Sequence, residues 1–259
     1  PRMKLVEVVQ APRTASEVVQ ALVSLSNRVG HRAVTTSDSP GFVVNHAGRA
    51  FVTEGLKLLA ERAAEPPELD AIMRGAGFRM GPFELLDLTA LDVSVPVMES
   101  IHAQYYGDDR YRPVALARTR MLAGLLGRKS GQGFYRYGGD EAPHAAAQPA
   151  PGPTDATVDW QVDGPAAVPE AVAALLGIGV RSGTGREADV FLVAPLGSDL
   201  SSTVAQLALD AEKTIAIDPL FAGHAGVTLI VSPATTVAAL DAARALFAAQ
   251  SVPTYVVSD

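Results

Sequence analysis

A stretch rich in proline, glycine and alanine divides this sequence into two parts with different hydrophobic patterns. Residues 138–153, GGDEAPHAAAQPAPGP, contain no large apolar side chain, which is typical of an extended, flexible linker. Apolar side chains mostly recur at helical spacing before this stretch, whereas short apolar runs alternate with amphipathic stretches after it. The pattern predicts two folded blocks joined by a linker, and a chain of 259 residues is long enough for two domains.

A strand–helix–strand segment opens the chain. Residues 4–9 and 31–36 have the apolar content of short strands, and residues 16–29 carry apolar side chains at helical spacing between them. Thr14 or Ser16 is expected to cap this helix, because a hydroxyl oxygen can accept a hydrogen bond from the free N–H groups at a helix start.

Four further helices are predicted before the linker, so that residues 38–138 form an all-helical domain. Their expected bounds are residues 42–60, 66–77, 82–104 and 114–126. Ser39 fits the N-cap of the first of them. Pro40 fits its first helical position, since proline lacks an N–H group that would be left free there.

Strands and helices alternate after the linker. Helices are expected at residues 168–177, 200–211 and 236–249, and strands at VFLVAPLG, TIAID, GVTLIVSP and TYVVS. This alternation predicts a largely parallel sheet with helices covering its faces. The predicted fold class is therefore mixed, with an all-α block followed by an α/β domain.

The two ends of the chain resemble each other. Residues 5–38 align with residues 226–259 at a constant offset of 221 without a gap, and seven positions are identical. Both stretches have the order strand, Pro-x-Thr, amphipathic helix, strand, Ser-Asp. This shared order predicts a duplicated strand–helix–strand unit.

Composition and charge exclude several classes of function. The net charge of −7 and the pI near 5.2, without clustered Lys and Arg, argue against a nucleic-acid partner. No apolar run approaches the roughly 20 residues of a membrane span, so no membrane partner is expected. The absence of cysteine excludes disulfides and thiolate chemistry. No metal is expected either, because Asp70, Asp87 and Asp92 lack convergent spacing.

A cytoplasmic location is expected, because no signal peptide is visible. The chain begins with Pro1 and not with Met, and we interpret it as a fragment or a processed product.

The first 138 residues resemble the 3-hydroxyacyl-CoA dehydrogenase family in five motifs that occur in the family's order and spacing. The motifs are MKLVEVV at 3–9, SDSPGFVVN at 37–45, MGPFELLDLTALDV at 80–93, YRP at 111–113 and GRKSGQGFYRY at 127–137. The resemblance implies an oxidoreductase that converts a 3-hydroxyacyl-CoA into a 3-oxoacyl-CoA with NAD, in β-oxidation of fatty-acid or aromatic-acid type. It also implies an acyl-CoA substrate and a homodimer.

The resemblance implies a domain plan as well. Its parts are a remnant of an amino-terminal Rossmann domain at 1–37, a helical domain of the 6-phosphogluconate-dehydrogenase C-terminal-like type at 38–138, a linker at 139–165 and a degenerate Rossmann-like α/β domain at 166–259. NAD would be bound mainly by the amino-terminal domain, most of which precedes this chain in the family.

Glu7 and Asn45 match two catalytic positions of the family. The resemblance implies that Glu7 orients a histidine, which takes the hydroxyl proton, and that Asn45 donates a hydrogen bond near the substrate carbonyl. Glu7 lies in an apolar strand, where an unpaired carboxylate would be costly, so a partner is expected. The alternatives are a Glu7 that faces water and an Asn45 that bonds the first turn of its own helix.

Lys129 matches the family lysine that reaches NAD from the helical domain. The alternative is an ordinary basic residue near a helix end, where positive charge is favourable. The chain has no glycine-rich dinucleotide fingerprint, since GIGVRSG at 177–183 is one residue too long and precedes a strand.

The family's catalytic histidine lies just before the MKLVEVV motif, and this chain starts inside that segment. None of the five histidines is expected to replace it. His46, for example, points about 100° away from Asn45 around the helix and is expected either to pack or to make a dimer contact. The 259 residues alone are therefore expected to be inactive. The alternative function is a non-catalytic module for dimerisation and acyl-CoA contact.

Overall fold

The structure is a computed structural model, and it describes residues 4–138, 188–218 and 226–259 together with the backbone of residues 158–161. Most of the predicted linker, the predicted helix at 168–177, the GIGVRSG stretch and His224 lie outside these residues. The chain divides into two compact units. The first unit is Pro1–Lys57 with Leu86–Arg136, and the second unit is Leu58–Leu85 with Tyr137–Asp259. The domain boundaries inferred from the sequence stay predictions.

The predicted strand–helix–strand segment is confirmed. Strand β1 (Leu5–Gln10) pairs in parallel with β2 (Arg32–Ser37), and helix α1 (Ser16–Arg28) connects them. The predicted hydroxyl cap of α1 is wrong. Ala15 is the N-cap residue and makes no side-chain bond, because the Thr14 hydroxyl instead accepts a hydrogen bond from the Ala11 N–H at 3.1 Å in the turn after β1.

Five helices follow in the predicted helical region. They are α2 (Val44–Ala60), α3 (Pro66–Gly75), α4 (Pro82–Thr89), α5 (Leu91–Gln104) and α6 (Ala115–Leu122). The single helix expected at 82–104 is two helices, because Ala90 adopts a φ of 67° that a continuous helix cannot contain.

Helix α2 begins two residues later than expected, and Ser39 and Pro40 do not start it. A turn closed by the Phe42 N–H on the Ser39 carbonyl at 2.9 Å precedes the helix. Gly41 and Phe42 have φ values of 77° and 51° in this turn, so the backbone is left-handed where helical geometry was expected.

The second unit contains a five-stranded sheet. Its strands are β3 (Val158–Gln161), β4 (Val190–Val193), β5 (Thr214–Ile217), β6 (Val227–Val231) and β7 (Thr254–Ser258), and they lie in this order across the sheet. Three of the four pairings are parallel, as predicted, whereas β5 and β6 are antiparallel.

Helices cover both faces of this sheet. Helix α7 (Leu200–Leu207) and helix α8 (Val237–Ala249) follow β4 and β6 in the chain. Ile215 and Ile217 pack with Phe247 of α8, whereas Ala216 packs with Leu200 of α7. Successive strand residues point to opposite faces, so the two helices lie on opposite sides of the sheet.

The duplicated unit predicted from the sequence is confirmed in its local structure. In β1–α1–β2 and in β6–α8–β7 each residue of the first strand pairs with the residue 27 positions later. The turn after each first strand is also the same. Ser232 donates its N–H to the Thr235 hydroxyl at 3.0 Å, as Ala11 does to Thr14 at 3.1 Å.

The duplicated units differ at the residue that follows each helix. Gly30 has a φ of 78° after α1, and Ser251 has a φ of 58° at the equivalent position after α8. A left-handed backbone is free of strain for glycine and costs about 1–2 kcal/mol for residues with a side chain.

We therefore expect Ser251→Gly to raise the free energy of unfolding by about 1 kcal/mol and Gly30→Ser to lower it by about the same amount. Urea denaturation followed by circular dichroism measures both. The matched control is Ser24→Gly in α1, where the backbone is helical and glycine should destabilise by about 0.5 kcal/mol. A destabilised Ser251→Gly protein would contradict the argument.

Candidate active site

Glu7 caps helix α2 from a distant strand. Its Oε1 atom accepts hydrogen bonds from the N–H groups of Val43 at 2.7 Å and Val44 at 2.9 Å, which lie 36 and 37 residues later in the chain. The first N–H groups of a helix have no partner within the helix and carry partial positive charge, so a carboxylate stabilises them. Glu7 is thus partnered, and the alternative of a carboxylate that only faces water is wrong.

The second carboxylate oxygen of Glu7 remains available. Among the residues that the structure describes, Oε2 accepts no hydrogen bond. An ionised carboxylate can accept on both oxygens. One oxygen of Glu7 therefore holds the helix, while the other can accept from an additional donor such as an imidazole N–H.

Asn45 lies in the first turn of α2 and is exposed. Its Oδ1 atom accepts a hydrogen bond from Nη2 of Arg49 at 3.2 Å. A guanidinium only donates, so the contact atom of the amide must be the oxygen, and the NH₂ group is left as a donor. The alternative was that Asn45 bonds the first turn of its own helix; its observed partner, Arg49, lies in the same helix but one turn later.

The structure brings Glu7 and Asn45 together. The Glu7 carboxylate bonds the N–H of Val44, which is the neighbour of Asn45 in the chain. The carboxylate of Glu7 and the residue Asn45 thus both belong to the start of α2, where the helix carries partial positive charge.

Lys129 has a different neighbour. It lies in the short 3-10 turn Arg128–Ser130 and forms an ion pair with Asp92 in the first turn of α5. Within the described residues this ion pair is its side-chain contact, and the pair does not involve Glu7 or Asn45. The assignment of Lys129 to the cofactor stays a prediction.

Asp87, which the sequence analysis considered only as a metal ligand, anchors the loop that contains Lys129. The side chain is fully buried and accepts hydrogen bonds from the N–H groups of Phe134 and Tyr135, both at 2.9 Å. Gly127 and Gly133 approach Asp87 so closely that a Cβ atom at either position would collide with it. Gly127 and Gly133 of the GRKSGQGFY motif are the sequence feature that could have indicated this close approach.

Asp70 has a similar role for helix α4. Its carboxylate accepts from the N–H groups of Phe83 and Glu84, both at 2.9 Å, and the side chain is fully buried. Glu84 accepts from the Gly81 N–H at 3.1 Å and pairs with Arg74 at 2.6 Å. The start of α4 after Gly-Pro was predicted, whereas the carboxylate that caps it was not.

His46 packs in an aromatic cluster, which is one of the two alternatives that the sequence left open. Its Nδ1 atom lies 3.2 Å from the hydroxyl of Tyr105, and Tyr105 stacks on Tyr111 with ring centroids 4.2 Å apart.

Over the described ranges, no group of three or more His, Asp or Glu side chains is placed to hold a metal ion, and no helix is long and apolar enough to cross a membrane. An open cleft of about 690 Å³ lies at the carboxyl ends of β1 and β2, lined by residues 10–12 and 35–38. Glu7 and Asn45 do not line it.

Comparison with known proteins confirms the resemblance that the motifs predicted. Residues 41–137 match the family described as 3-hydroxyacyl-CoA dehydrogenase, C-terminal domain. This match includes Asn45 at the start of α2, the buried carboxylates Asp70 and Asp87 with the segments that they hold, and Lys129.

Proteins with similar sequences also have the names of dehydrogenases that act on 3-hydroxyacyl-CoA compounds. A probable 3-hydroxybutyryl-CoA dehydrogenase of Deinococcus radiodurans is 41% identical over 138 residues, which are 53% of this chain and 49% of that protein. The 3-hydroxyadipyl-CoA dehydrogenase of Escherichia coli K12 is also 41% identical over 138 residues, or 53% of this chain and 29% of that protein. This chain spans about half the length of several curated relatives that it matches.

One solved structure matches the whole chain. The crystal structure of 3-hydroxybutyryl-CoA dehydrogenase from Escherichia coli K12 has a TM-score of 0.77 and 28% identity, and the match covers 100% of this chain and 50% of that one. The fold similarity thus includes the sheet-containing second unit as well as the helical region.

The cap on α2 leads to a stability prediction. Glu7→Ala should lower the free energy of unfolding by about 1–2 kcal/mol, because two helix N–H groups lose a charged acceptor. Glu7→Gln should lose less, since the amide oxygen can still accept. Chemical denaturation measures both. Glu61→Ala, at an exposed position, is the control and should change stability by less than about 0.5 kcal/mol. Equal stability of Glu7→Ala and the native chain would contradict the capping role.

Proposed function

We propose that this chain supplies part of the active site of an NAD-dependent 3-hydroxyacyl-CoA dehydrogenase, which oxidises a 3-hydroxyacyl-CoA to a 3-oxoacyl-CoA. The carrying observation is that the Glu7 carboxylate bonds the N–H of Val44, the residue before Asn45, and that each of the two side chains keeps one hydrogen-bonding group without a partner among the described residues. The matches to named dehydrogenases support the same reaction.

In this proposal Glu7 positions the base. Its free Oε2 accepts an N–H of a histidine contributed by residues that precede this chain, which leaves the other imidazole nitrogen facing the substrate. That nitrogen takes the proton of the 3-hydroxyl group as the hydride leaves C3. NAD, when bound, supplies the acceptor for this hydride. The carboxylate stabilises the imidazolium that forms, because opposite charges then lie in contact.

Asn45 acts on the oxygen of C3. Its NH₂ group donates a hydrogen bond to this oxygen, and the bond strengthens as the carbonyl forms in the product. The amide has no charge to lose or gain during the reaction, so it can serve both directions. The bond from Arg49 keeps the amide oxygen turned away from the substrate oxygen, which it would repel.

Lys129 is the described residue that fits a contact with NAD. Its side chain is 59% exposed and its ion pair with Asp92 lies at the surface, where such pairs are weak. The ammonium can therefore leave Asp92 for a phosphate or a ribose hydroxyl of the dinucleotide. The nicotinamide-proximal contacts would come from the residues that precede this chain.

The proposal includes a larger assembly. Val18, Leu22 and Leu25 of α1 and Val29 at its C-cap lie at helical spacing and are 45–62% exposed. An apolar stripe of this kind is a surface that another domain or another subunit covers. We propose an amino-terminal NAD domain over this stripe, a homodimer and a cytoplasmic location. The alternative, a non-catalytic module for dimerisation and acyl-CoA contact, applies to the 259 residues in isolation.

The test is NADH formation from 3-hydroxybutyryl-CoA by the protein extended with its preceding residues. We expect Asn45→Ala to lower kcat by about 100-fold, as for other donors to a developing oxyanion, and Glu7→Gln to lower it by at least about tenfold. Glu61→Gln should leave kcat unchanged. The 259 residues alone should produce no NADH.

Full turnover in both Glu7→Gln and Asn45→Ala would exclude the proposed roles. Turnover by the 259 residues alone would show that no preceding histidine is needed. A folded, extended protein that binds acyl-CoA without oxidising it would favour the non-catalytic alternative.

A further inference from the structure

Asp38 is an exposed carboxylate at the edge of an open cleft. The residue follows β2, and it has no hydrogen-bond or ion-pair partner among the described residues. It lines the cleft of about 690 Å³ at the carboxyl ends of β1 and β2, together with residues 10–12 and 35–37. Both oxygens of this carboxylate are therefore available to a partner that enters the cleft.

The duplicated unit shows what occupies the same position in the second copy. Asp259 is the counterpart of Asp38, and each residue directly follows the last strand of its unit. The carboxylate of Asp259 accepts from the N–H groups of Leu200 at 3.3 Å and Ser201 at 3.1 Å. The hydroxyl of Ser201 also donates to it at 3.0 Å. In the second copy, this position thus holds the start of helix α7.

The helix held by Asp259 belongs to a strand–helix–strand segment without a counterpart in the described part of the first copy. In the second copy β4, α7 and β5 precede β6, and β5 pairs with β6 in antiparallel fashion. In the first copy β1 pairs with β2, and within the described ranges no strand lies along its other edge. The first sheet therefore has an open edge where the second sheet has β5.

Helix α1 gives independent evidence for the same missing segment. Val18 and Leu22 of α1 are 50% and 45% exposed. Their counterparts in α8, Ala239 and Ala243, are 3% and 0% exposed, because they pack in one buried cluster with residues of β4 and β5. The same helix face is thus covered by two strands in the second copy and open in the first.

We propose that Asp38 caps the start of a helix contributed by residues that precede this chain, and that this helix start occupies the cleft. The helix is the counterpart of α7, and the strands on either side of it extend the sheet beyond β1 and cover the exposed face of α1. This inference rests on the proposed function, because it takes the preceding residues from there.

The charge of the cleft fits a helix start better than an anionic ligand. Asp38 is the charged residue among those that line the cleft, so a phosphate or a carboxylate would be repelled. The first N–H groups of a helix lack partners within the helix and carry partial positive charge. A carboxylate with two available oxygens can accept from two of these groups, as Asp259 does at α7.

The experiment is hydrogen exchange, measured by mass spectrometry on the protein extended with its preceding residues and on the 259 residues alone. Asp38→Ala removes the carboxylate, whereas Asp38→Asn keeps one oxygen that can accept a hydrogen bond. Asp259→Ala is the matched positive control, because the helix that it caps lies within the described residues. Glu61→Ala, at an exposed position, is the negative control.

In the extended protein, we expect Asp38→Ala to speed exchange by about 5- to 10-fold at the first turn of one helix in the preceding residues, as for a lost cap. Asp38→Asn should speed it by about threefold at most, since the amide oxygen still accepts. In the 259 residues alone, Asp38→Ala should leave exchange unchanged. Asp259→Ala should speed exchange at the start of α7 in both proteins, and Glu61→Ala in neither.

Unchanged exchange throughout the preceding residues of the Asp38→Ala protein overturns the inference. An equal effect of this change in the 259 residues alone also overturns it, because the partner of Asp38 then lies within this chain. Loss of a dimer in sedimentation, with no helix start affected, assigns the cleft to a second copy and overturns it too. If Asp38→Ala prevents folding of the extended protein, Asp38→Asn decides by the same readout.

NADH formation from 3-hydroxybutyryl-CoA by the unaltered, extended protein tests the proposed function separately. Oxidation without an effect of Asp38→Ala on exchange overturns the inference and leaves the proposed function supported. Faster exchange at one helix start in a protein that forms no NADH supports the capping role of Asp38 and overturns the proposed function.

Discussion

The hydrogen bonds from the start of α2 to the Glu7 carboxylate are the contact on which the candidate site depends. They join residues that are 36 and 37 positions apart, and they stabilise the first helical residue, Val44. Because the helix starts there, Asn45 falls in its first turn and Arg49 in its second. A carboxylate in the middle of an apolar strand is costly unless it is paired, and the helix N-terminus supplies that partner.

Buried carboxylates that accept backbone N–H groups recur in the helical region. Asp70 caps α4, and Asp87 holds the loop around Phe134 and Tyr135. Each carboxylate accepts two N–H groups, and charge-assisted bonds of this kind are stronger than bonds between neutral groups. The glycines beside Asp70 and Asp87 are needed because a side chain would occupy the space of the carboxylate.

The duplicated strand–helix–strand unit shows how one local fold can serve different purposes. The position equivalent to Glu7 is Thr228, so the second copy lacks the carboxylate in its first strand. Its acidic contact comes instead from Asp259, which accepts from the N–H groups of Leu200 at 3.3 Å and Ser201 at 3.1 Å at the start of α7. Both copies thus use a carboxylate against a helix N-terminus, and in the second copy the Ser201 hydroxyl also donates to it at 3.0 Å.

The sequence by itself determined the type and order of most elements, because hydrophobic periodicity and turn residues act over a few neighbouring positions. Helices α1 and α8, the strands around them and the duplication were all predicted, and so were the family motifs that single out Glu7, Asn45 and Lys129. Only the tertiary structure decided where α2 starts, that the helix expected at 82–104 breaks at Ala90, and that β5 and β6 are antiparallel. It also decided that Glu7 caps a helix and that the half-buried Arg49 bonds the amide of Asn45, with no acidic partner among the described residues. These features depend on groups that are distant in the chain or on burial by several elements at once, and local sequence patterns do not encode such contacts.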